Sequence, residues 1–188
     1  MKNYFNERKT TQIASLLLSM NGGKMNYMKL IKLLYIIDRK ALLEWGFPLT
    51  FDKYVSMPKG PVLSNTYNLI MEGVQNKEES YWYSFISEPS YYSVELIAEP
   101  NDVELSIAEI ELITKIDSEY KDKDQWEMVD IVHELPEWID PEGSSIPINY
   151  KDILREAGKT ASEIASTIKD IESLQLTSML LANANKTG

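Results

Sequence analysis

The chain has 188 residues, enough for one large domain or for one domain with a tail, and its hydrophobic content of 44% is ordinary for a globular protein. It contains no cysteine, which excludes disulfides, cysteine-ligated zinc and a cysteine nucleophile. Its single histidine excludes a multi-histidine metal site. These absences remove several classes of enzyme and metalloprotein from consideration.

The formal net charge of −10 is unevenly distributed along the chain. Residues 1–75 carry 10 Lys/Arg and 5 Asp/Glu, whereas residues 76–188 carry 9 Lys/Arg and 24 Asp/Glu. We expect the acidic part to repel nucleic acid and to attract a basic protein. The alternative is a solvated acidic surface that only aids solubility.

No targeting, membrane or cofactor signal is visible in the sequence. The N-terminus MKNYFNERKTTQ lacks an apolar signal core, and no apolar run approaches the ~20 residues that cross a bilayer. We therefore expect a soluble cytoplasmic protein without membrane contact. The sequence contains no Walker P-loop, GxGxxG or GxSxG motif, so it indicates no cofactor and no catalytic residue.

Two amphipathic helices are predicted in the first quarter of the chain. The first extends from Glu7 to Met20 and ends before Gly22-Gly23. The second is capped by Asn26 and ends at Gly46 in the left-handed conformation. Its apolar stripe is wide enough to predict deep burial, and consists of Leu30, Ile31, Leu33, Leu34, Ile37, Ala41 and Leu42.

The middle of the chain mixes strand and turn signals. Residues 54–57 form a short β-like run, and Pro61 suits the first position of a third helix. Residues 81–87 and 91–99 are rich in aromatic and β-branched residues and predict a β-hairpin that turns at Pro89 and Ser90. Residues 54–57 are a candidate third strand for that hairpin. Alternation along its first strand separates Trp82 from its aromatic neighbours.

The second half of the chain is predicted to be helical apart from one long loop. Ser106 and Asp124 are candidate caps of two helices, and residues 135–148 form a Pro- and Gly-containing loop or linker. A short helix ends at Gly158, and Thr160 with Glu163 forms a capping-box pattern before a long amphipathic helix. That helix either packs on its own domain or engages a partner.

Four motifs follow one another along the chain: a lysine-leucine-leucine-tyrosine helix, a glycine-x-proline-leucine break, a glycine-proline-valine turn with a following tyrosine, and a later histidine and tryptophan. Their main residues are Lys29, Leu33, Tyr35, Gly46, Pro48, Gly60, Pro61, Tyr67, His133 and Trp138. In this order the motifs resemble the Panacea domain, also called SocA-like, which is found in antitoxins and in phage-associated, GepA-like proteins. Pro58-Lys59 departs from that family, whose members more often carry an aromatic residue there.

We expect a mainly α fold with a small antiparallel β-sheet, an α+β architecture. One compact helical domain is predicted over residues 1–148, with a C-terminal helical extension over residues 149–188 packed on it. The resemblance implies an antitoxin that is not an enzyme and that neutralises a cognate toxin by direct protein–protein binding. Some relatives instead deliver the toxin to a protease, and the sequence leaves these two mechanisms open.

The partner-binding residues predicted from this hypothesis are aromatic anchors and acidic residues that attract a basic toxin. The aromatic set is Tyr81, Tyr83 and Tyr91. The acidic set on the last predicted helix is Glu163, Asp170 and Glu172.

Two other functional classes remain open. A regulator that binds the DNA of its own operon through a winged-helix-like core is disfavoured by the net charge. Its available basic residues are Lys24, Lys29, Lys32, Arg39, Lys40, Lys53 and Lys59. A hydrolase would depend on His133, which the sequence favours instead as a structural histidine that bonds a backbone group and packs on Trp138.

Overall fold

The computed structural model describes residues 4–101 and 104–184, without the side chains of residues 178, 179 and 181–184. The fold is mainly helical with antiparallel β-structure, as predicted, but the strands of the described residues form two small sheets where one was predicted. The helices are α1 (Glu7–Met20), α2 (Tyr27–Trp45), α3 (Ser64–Met71), α4 (Tyr81–Phe85), α5 (Ile107–Glu119), α6 (Gln125–His133), α7 (Tyr150–Glu156) and α8 (Ala161–Ala184). The strands are β1 (Lys24–Asn26), β2 (Tyr54–Ser56), β3 (Val62–Leu63), β4 (Ser93–Glu95) and β5 (Ile146–Ile148).

Helix α2 lies at the centre of the core. The Asn26 side chain accepts hydrogen bonds from the backbone N–H groups of Met28 and Lys29, and Gly46 ends the helix at φ 80°, both as predicted. The predicted apolar stripe is fully buried, including Leu33. Because α1, α5 and α6 all pack against α2, some of its polar residues, among them Lys32 and Asp38, face protein rather than water.

The predicted β-hairpin is wrong in its first strand. Residues 81–85 form α4, because the Glu7 carboxylate accepts hydrogen bonds from the Ser80 hydroxyl (2.6 Å) and the Trp82 backbone N–H (3.0 Å) and so holds the start of a helix. Strand β4 pairs with β1 instead, with Met25 opposite Val94. A short remnant of the hairpin survives as an isolated bridge between Ile86 and Leu96.

Residues 54–56 join a different sheet from the one predicted. Strand β2 lies between β3 and β5, with Tyr54 opposite both Leu63 and Ile148. Pairing with β2 keeps residues 62–63 extended, so α3 begins at Ser64 and not at Pro61. The prediction of Pro61 as the first helical residue was therefore wrong.

The predicted starts of the later helices are confirmed. Ser106 and Asp124 form reciprocal capping boxes with the glutamates three residues ahead, and Thr160 exchanges hydrogen bonds with Glu163 in the same way. None of the described helices is both long and apolar enough to span a membrane.

The C-terminal segment contacts the rest of the protein at several points. Strand β5 pairs with β2, and Ile153 of α7 and Ile171 of α8 belong to the common core. The Tyr150 hydroxyl donates a hydrogen bond to the Asp52 carbonyl at 2.8 Å. The division at residue 148 into a domain and an extension stays a prediction.

Candidate functional site

Four polar residues of α2, which we call the α2 polar row, make their contacts inside the protein: Lys32, Tyr35, Asp38 and Arg39. Their spacing of three or four residues, apart from the Asp38-Arg39 pair, follows the helical period, so they lie along one side of the helix. Buried polar groups need partners, and the partners of this row come from three segments distant in sequence.

Asp38 fixes the chain that follows α2. Its carboxylate accepts hydrogen bonds from the backbone N–H groups of Leu49 (2.7 Å) and Thr50 (2.8 Å), and from the hydroxyls of Thr50 (2.7 Å) and Tyr54 (2.9 Å). Complete burial raises the pKa of Asp38 to about 6, although these hydrogen bonds favour the ionised form. The Asp38 carboxylate therefore serves as a structural hydrogen-bond acceptor. It holds the residues that follow Pro48 against α2.

Glu137 connects α2 to the segment after α6. Arg39 binds both of its carboxylate oxygens, with Nε at 2.5 Å and Nη2 at 3.0 Å, and the Tyr35 hydroxyl donates to Oε1 at 2.9 Å. The Glu137 side chain is fully buried, so this bidentate pair is shielded from solvent. Tyr35 and Arg39 of α2 therefore meet Glu137, which directly precedes Trp138, at one buried ion pair.

His133 and Trp138 hold the glycine-proline-valine turn against α6. Their rings stack with centroids 4.0 Å apart, and Trp138 Nε1 donates to the Met57 carbonyl at 3.0 Å. Gly60 has φ +90°, and a Cβ added there would lie 2.5 Å from Val132 Cγ2. Only glycine fits this close approach. The predicted packing of His133 on Trp138 is confirmed.

No catalytic partner for His133 emerges among the described residues. Its Nε2 atom is buried and makes no hydrogen bond there, so the predicted bond from the ring to a backbone group is not found at this atom. The described residues also contain no group of three His, Asp or Glu side chains able to hold a metal ion. This environment gives no support to a hydrolase built around His133.

Lys32 is a buried ammonium without an acidic partner. Its side chain is 2% exposed, and Nζ donates one hydrogen bond, to the Pro61 carbonyl at 3.0 Å. No carboxylate of the described residues forms an ion pair with it, and the charged neighbour that acts on it is Lys59. Burial, with a smaller contribution from Lys59, lowers the pKa of Lys32 to about 7.

Lys32 also lines a cavity of about 260 Å³, the Lys32 cavity. Its polar lining includes Lys59 and Tyr67, and Gly60 forms part of its wall. Its apolar lining consists of Met28, Ile31, Met57, Pro58, Val62 and Met71. The ammonium is thus placed in an otherwise mainly apolar depression.

A second exposed feature is the two-residue turn at Tyr91 and Tyr92, the Tyr91–Tyr92 turn. Ser90 and Ser93 exchange both backbone hydrogen bonds, at 2.8 Å and 2.9 Å. Both tyrosines have positive φ, 48° and 62°, as in a type I′ turn, which strongly favours Asn-Gly. Tyr91 is 95% exposed and Tyr92 is 74% exposed. Two aromatic residues therefore occupy a strained turn with their rings largely in solvent.

The Tyr91–Tyr92 turn is anchored to the beginning of α2. The Tyr27 backbone N–H donates to the Tyr92 carbonyl at 3.0 Å, and the two rings lie 6.3 Å apart. A groove of about 510 Å³ beside the turn shares Tyr27 and Met71 with the Lys32 cavity. The two depressions are therefore neighbours on one surface.

The predicted partner-binding residues are not gathered at one place. Tyr81 packs against Phe85 and beneath the Arg8 guanidinium, and the Tyr83 hydroxyl donates to the Leu69 carbonyl, so both rings are half-buried and support the fold. Tyr91 is free of such packing and remains a candidate anchor.

The three predicted acidic residues, Glu163, Asp170 and Glu172, are all exposed on α8, and Glu163 is engaged in the cap with Thr160. Sequence reasoning missed Tyr92 and Met71 as surface residues and Lys32 as a cavity residue. A Tyr-Tyr pair directly before a strand was the one available signal for the turn.

A protein-family model described as antitoxin SocA-like, Panacea domain, matches residues 30–139, more than half of the chain. The chain belongs to this family. No curated protein and no solved structure matched the chain. The α2 polar row and its partners at Thr50, Tyr54, Pro61 and Glu137 all lie within the matched Panacea region.

The Panacea motif residues build a scaffold rather than an exposed site. Leu33 is fully buried, and Lys29 Nζ donates to the carbonyls of Lys121 (2.8 Å) and Lys123 (2.7 Å). Pro48 and Pro61 are also buried. Of the motif residues in the turn and in α3, Gly60 and Tyr67 line the Lys32 cavity. The family name implies a toxin partner in general.

The structure disfavours DNA binding by the predicted basic set. Lys24 pairs with Glu95, Arg39 with Glu137 and Lys40 with Glu44. Lys29 and Lys32 are directed to backbone carbonyls. These contacts leave few cations of the set for phosphate groups, which need several on one face.

Proposed function

We propose that this Panacea-domain protein is an antitoxin that neutralises a cognate toxin by direct contact, and that the Tyr91–Tyr92 turn is the anchor of that contact. The observation that carries the proposal is the combination of strained backbone and exposed aromatic rings in this turn. Membership of the antitoxin family supplies the class of partner.

The turn is costly for the isolated protein. A non-glycine residue in the left-handed region costs roughly 1–2 kcal/mol, and two such residues follow each other here. An Asn-Gly pair would make the same turn at lower cost, so folding alone gives no reason for two tyrosines. Tyrosine is among the residues most often found as binding hot spots, because it buries a large rigid surface at low entropic cost.

The groove beside the turn combines charged and apolar residues. Glu72, Glu88 and the ion-pair partner of Glu88, Lys77, line the groove next to Tyr91. Met71, 42% exposed, adds an apolar surface between the groove and the Lys32 cavity. An apolar and aromatic centre with charges at its edge is the usual arrangement of a protein interface. The acidic residues of α8 would add long-range attraction and raise the association rate.

Affinity measurements on turn variants test the anchor. We expect Tyr91→Ala to weaken toxin binding, measured by calorimetry, by about thirtyfold, because a hot-spot truncation costs about 2 kcal/mol or more. The combined change Tyr91→Asn with Tyr92→Gly keeps the turn and removes both rings, so it should also lose growth rescue on co-expression with the toxin. Ile107→Ala, at an exposed apolar position on α5, is the control and should bind normally. Wild-type affinity in the Asn-Gly variant would refute the proposal.

Charge reversal on α8 tests the attraction separately. Asp170→Lys with Glu172→Lys should slow association in stopped-flow experiments and flatten its dependence on salt. Glu163 is left unchanged in this variant because its carboxylate caps α8 through Thr160. Association rates that do not vary with ionic strength in the wild-type protein would contradict this part of the proposal.

Direct neutralisation also has to be separated from delivery to a protease. Purified antitoxin added to purified toxin, in the absence of any protease, should abolish the toxin's activity at stoichiometric ratios. Neutralisation that occurs only in cells, and only while the protease is present, would instead identify the protein as an adaptor.

A further inference from the structure

The Lys32 cavity contains an electrostatic feature that the fold does not explain. Burying an ammonium is unfavourable unless it is paired, and buried charges in proteins are normally matched by an opposite charge. Arg39, seven residues further along the same helix, follows this rule through its bidentate pair with Glu137. Lys32 does not, because its one hydrogen bond is to a neutral carbonyl and its charged neighbour is another cation.

The position of Lys32 within the cavity is equally specific. An ammonium has three donors, and Lys32 uses one of them on the Pro61 carbonyl. The side chain lines the cavity, and Lys59 lies at the same depression with its ammonium 5.3 Å from the centre of the Trp126 ring. Two lysine side chains therefore line one depression whose remaining lining is largely apolar.

We propose that the Lys32 cavity receives a carboxylate group of the toxin, from an acidic side chain or the C-terminus, together with an adjacent apolar side chain. This inference rests on the proposed antitoxin function and deepens it, because it assigns a second subsite beside the Tyr91–Tyr92 turn. The carboxylate supplies the missing counter-charge of Lys32, and the methionine side chains of the cavity cover its apolar neighbour.

The size and position of the cavity support this occupant. A volume of about 260 Å³ is below the range of pockets that hold drug-sized ligands, and it suits a group the size of one or two side chains. The shared residues Tyr27 and Met71 place the cavity next to the groove beside the Tyr91–Tyr92 turn. One partner segment could therefore contact both.

The charge of the whole protein favours a single carboxylate over a polyanion. The chain has a formal net charge of −10, so a nucleic acid would be repelled by the molecule as a whole. A single carboxylate can pair with Lys32 and Lys59 at short range, and its one charge is repelled much less by the net negative charge of the protein. A lysine recognises an anion as a point charge, so inorganic phosphate has to be tested as an alternative ligand.

Small-molecule binding tests the cavity without any toxin. The methyl groups of Met28, Met57 and Met71 line the cavity and serve as carbon-13 NMR reporters, with those of the core residues Met25 and Met128 as internal controls. Hexanoate should shift the three cavity signals saturably, whereas hexanamide, the uncharged analogue, should require at least tenfold higher concentration. Lys32→Met should remove this difference between the two molecules.

Toxin affinity tests the source of the carboxylate. We expect Lys32→Met to weaken the toxin complex at least tenfold, while Lys40→Met, which removes an exposed lysine from the same helix, should stay within twofold of the wild type. Circular dichroism and thermal melts check that both variants are folded. The change is apolar and of similar size, so the folded core should be retained.

Each outcome decides a different part of the inference. Equal shifts with hexanoate and hexanamide would overturn recognition by the ammonium, and tighter binding of inorganic phosphate than of hexanoate would overturn the carboxylate. Wild-type toxin affinity in Lys32→Met would overturn the toxin as its source. If the wild-type protein binds no toxin at all, the proposed antitoxin function fails, and a selective response to hexanoate would still support the cavity as a carboxylate site.

Discussion

Replacing Lys32 by methionine should change the way in which the stability of the protein depends on pH. Lys32 is 2% exposed, and its pKa is lowered from 10.5 to about 7 by burial and by Lys59. Between these two values the unfolded chain binds more protons at this position than the folded chain. The free energy of unfolding of the wild-type protein therefore rises with pH across this window. It decreases as the pH is lowered towards about 7.

The magnitude of this pH dependence follows from the pKa shift of Lys32. One pKa unit corresponds to about 1.4 kcal/mol, so the shift from 10.5 to about 7 amounts to about 5 kcal/mol in total. Between pH 9 and pH 7 the expected loss is about 2 kcal/mol, because titration of the folded protein near pH 7 limits it there. Lys32→Met removes this loss, so its stability relative to the wild type should be greater at pH 7 than at pH 9 by about 2 kcal/mol.

Urea unfolding of both proteins at pH 7 and pH 9, followed by circular dichroism, measures this difference directly. The comparison between two pH values cancels any change in apolar packing, because that packing is the same at both pH values. Lys40→Met is the matched control, and its stability relative to the wild type should be the same at both pH values. A relative stability of Lys32→Met that does not change with pH would refute the reasoning.

Three further changes test the scaffold and the turn. Asp38→Ala leaves four donors without their acceptor and should destabilise the protein by about 3 kcal/mol or more in urea unfolding. Gly60→Ala should be more destabilising than Gly143→Ala by about 1–3 kcal/mol, because both residues have φ +90° but only the first meets another side chain at 2.5 Å. Tyr91→Asn with Tyr92→Gly should raise the stability by about 1 kcal/mol or more, because it relieves two strained residues.

Each of these three experiments has an outcome that would contradict the reason given for it. An Asp38→Ala protein as stable as the wild type would show that the four hydrogen bonds do not hold the segment after α2. Equal losses in the two glycine variants would show that backbone conformation, and not the close approach to Val132, determines the choice of Gly60. A destabilised Asn-Gly variant would mean that the tyrosine rings contribute to folding, which would weaken their assignment as an interaction site.

The family motifs were predictable from the sequence, but the contacts between them were not. The order of the motifs was enough to predict the family, and the wide stripe of α2 was enough to predict its burial. The contacts between motifs were not predictable, because Tyr35 and Glu137 are about a hundred residues apart and meet only after the chain has folded. A sequence shows that both residues are present but not that they share one ion pair with Arg39.

The predicted hairpin failed for a similar reason. The aromatic and β-branched residues of 81–85 favour a strand locally, but Glu7 from α1 holds the start of a helix there. Propensity is a weak local preference, and a contact with a distant residue overrides it. This difference changes the candidate site. Tyr81 and Tyr83 are half-buried in the fold, whereas Tyr91 and Tyr92 form the exposed turn.

The sequence by itself determined the family, the starts of α2, α5, α6 and α8, and the end of α2. Asn26, Gly46, Ser106, Asp124 and Thr160 act on backbone groups only a few residues away, so local chemistry is sufficient. The tertiary structure alone decided that Lys32 lies buried without a counter-charge and that two tyrosines are exposed in a strained turn. Burial and strain are properties of the surroundings that distant segments create, and no local pattern in a sequence specifies those surroundings.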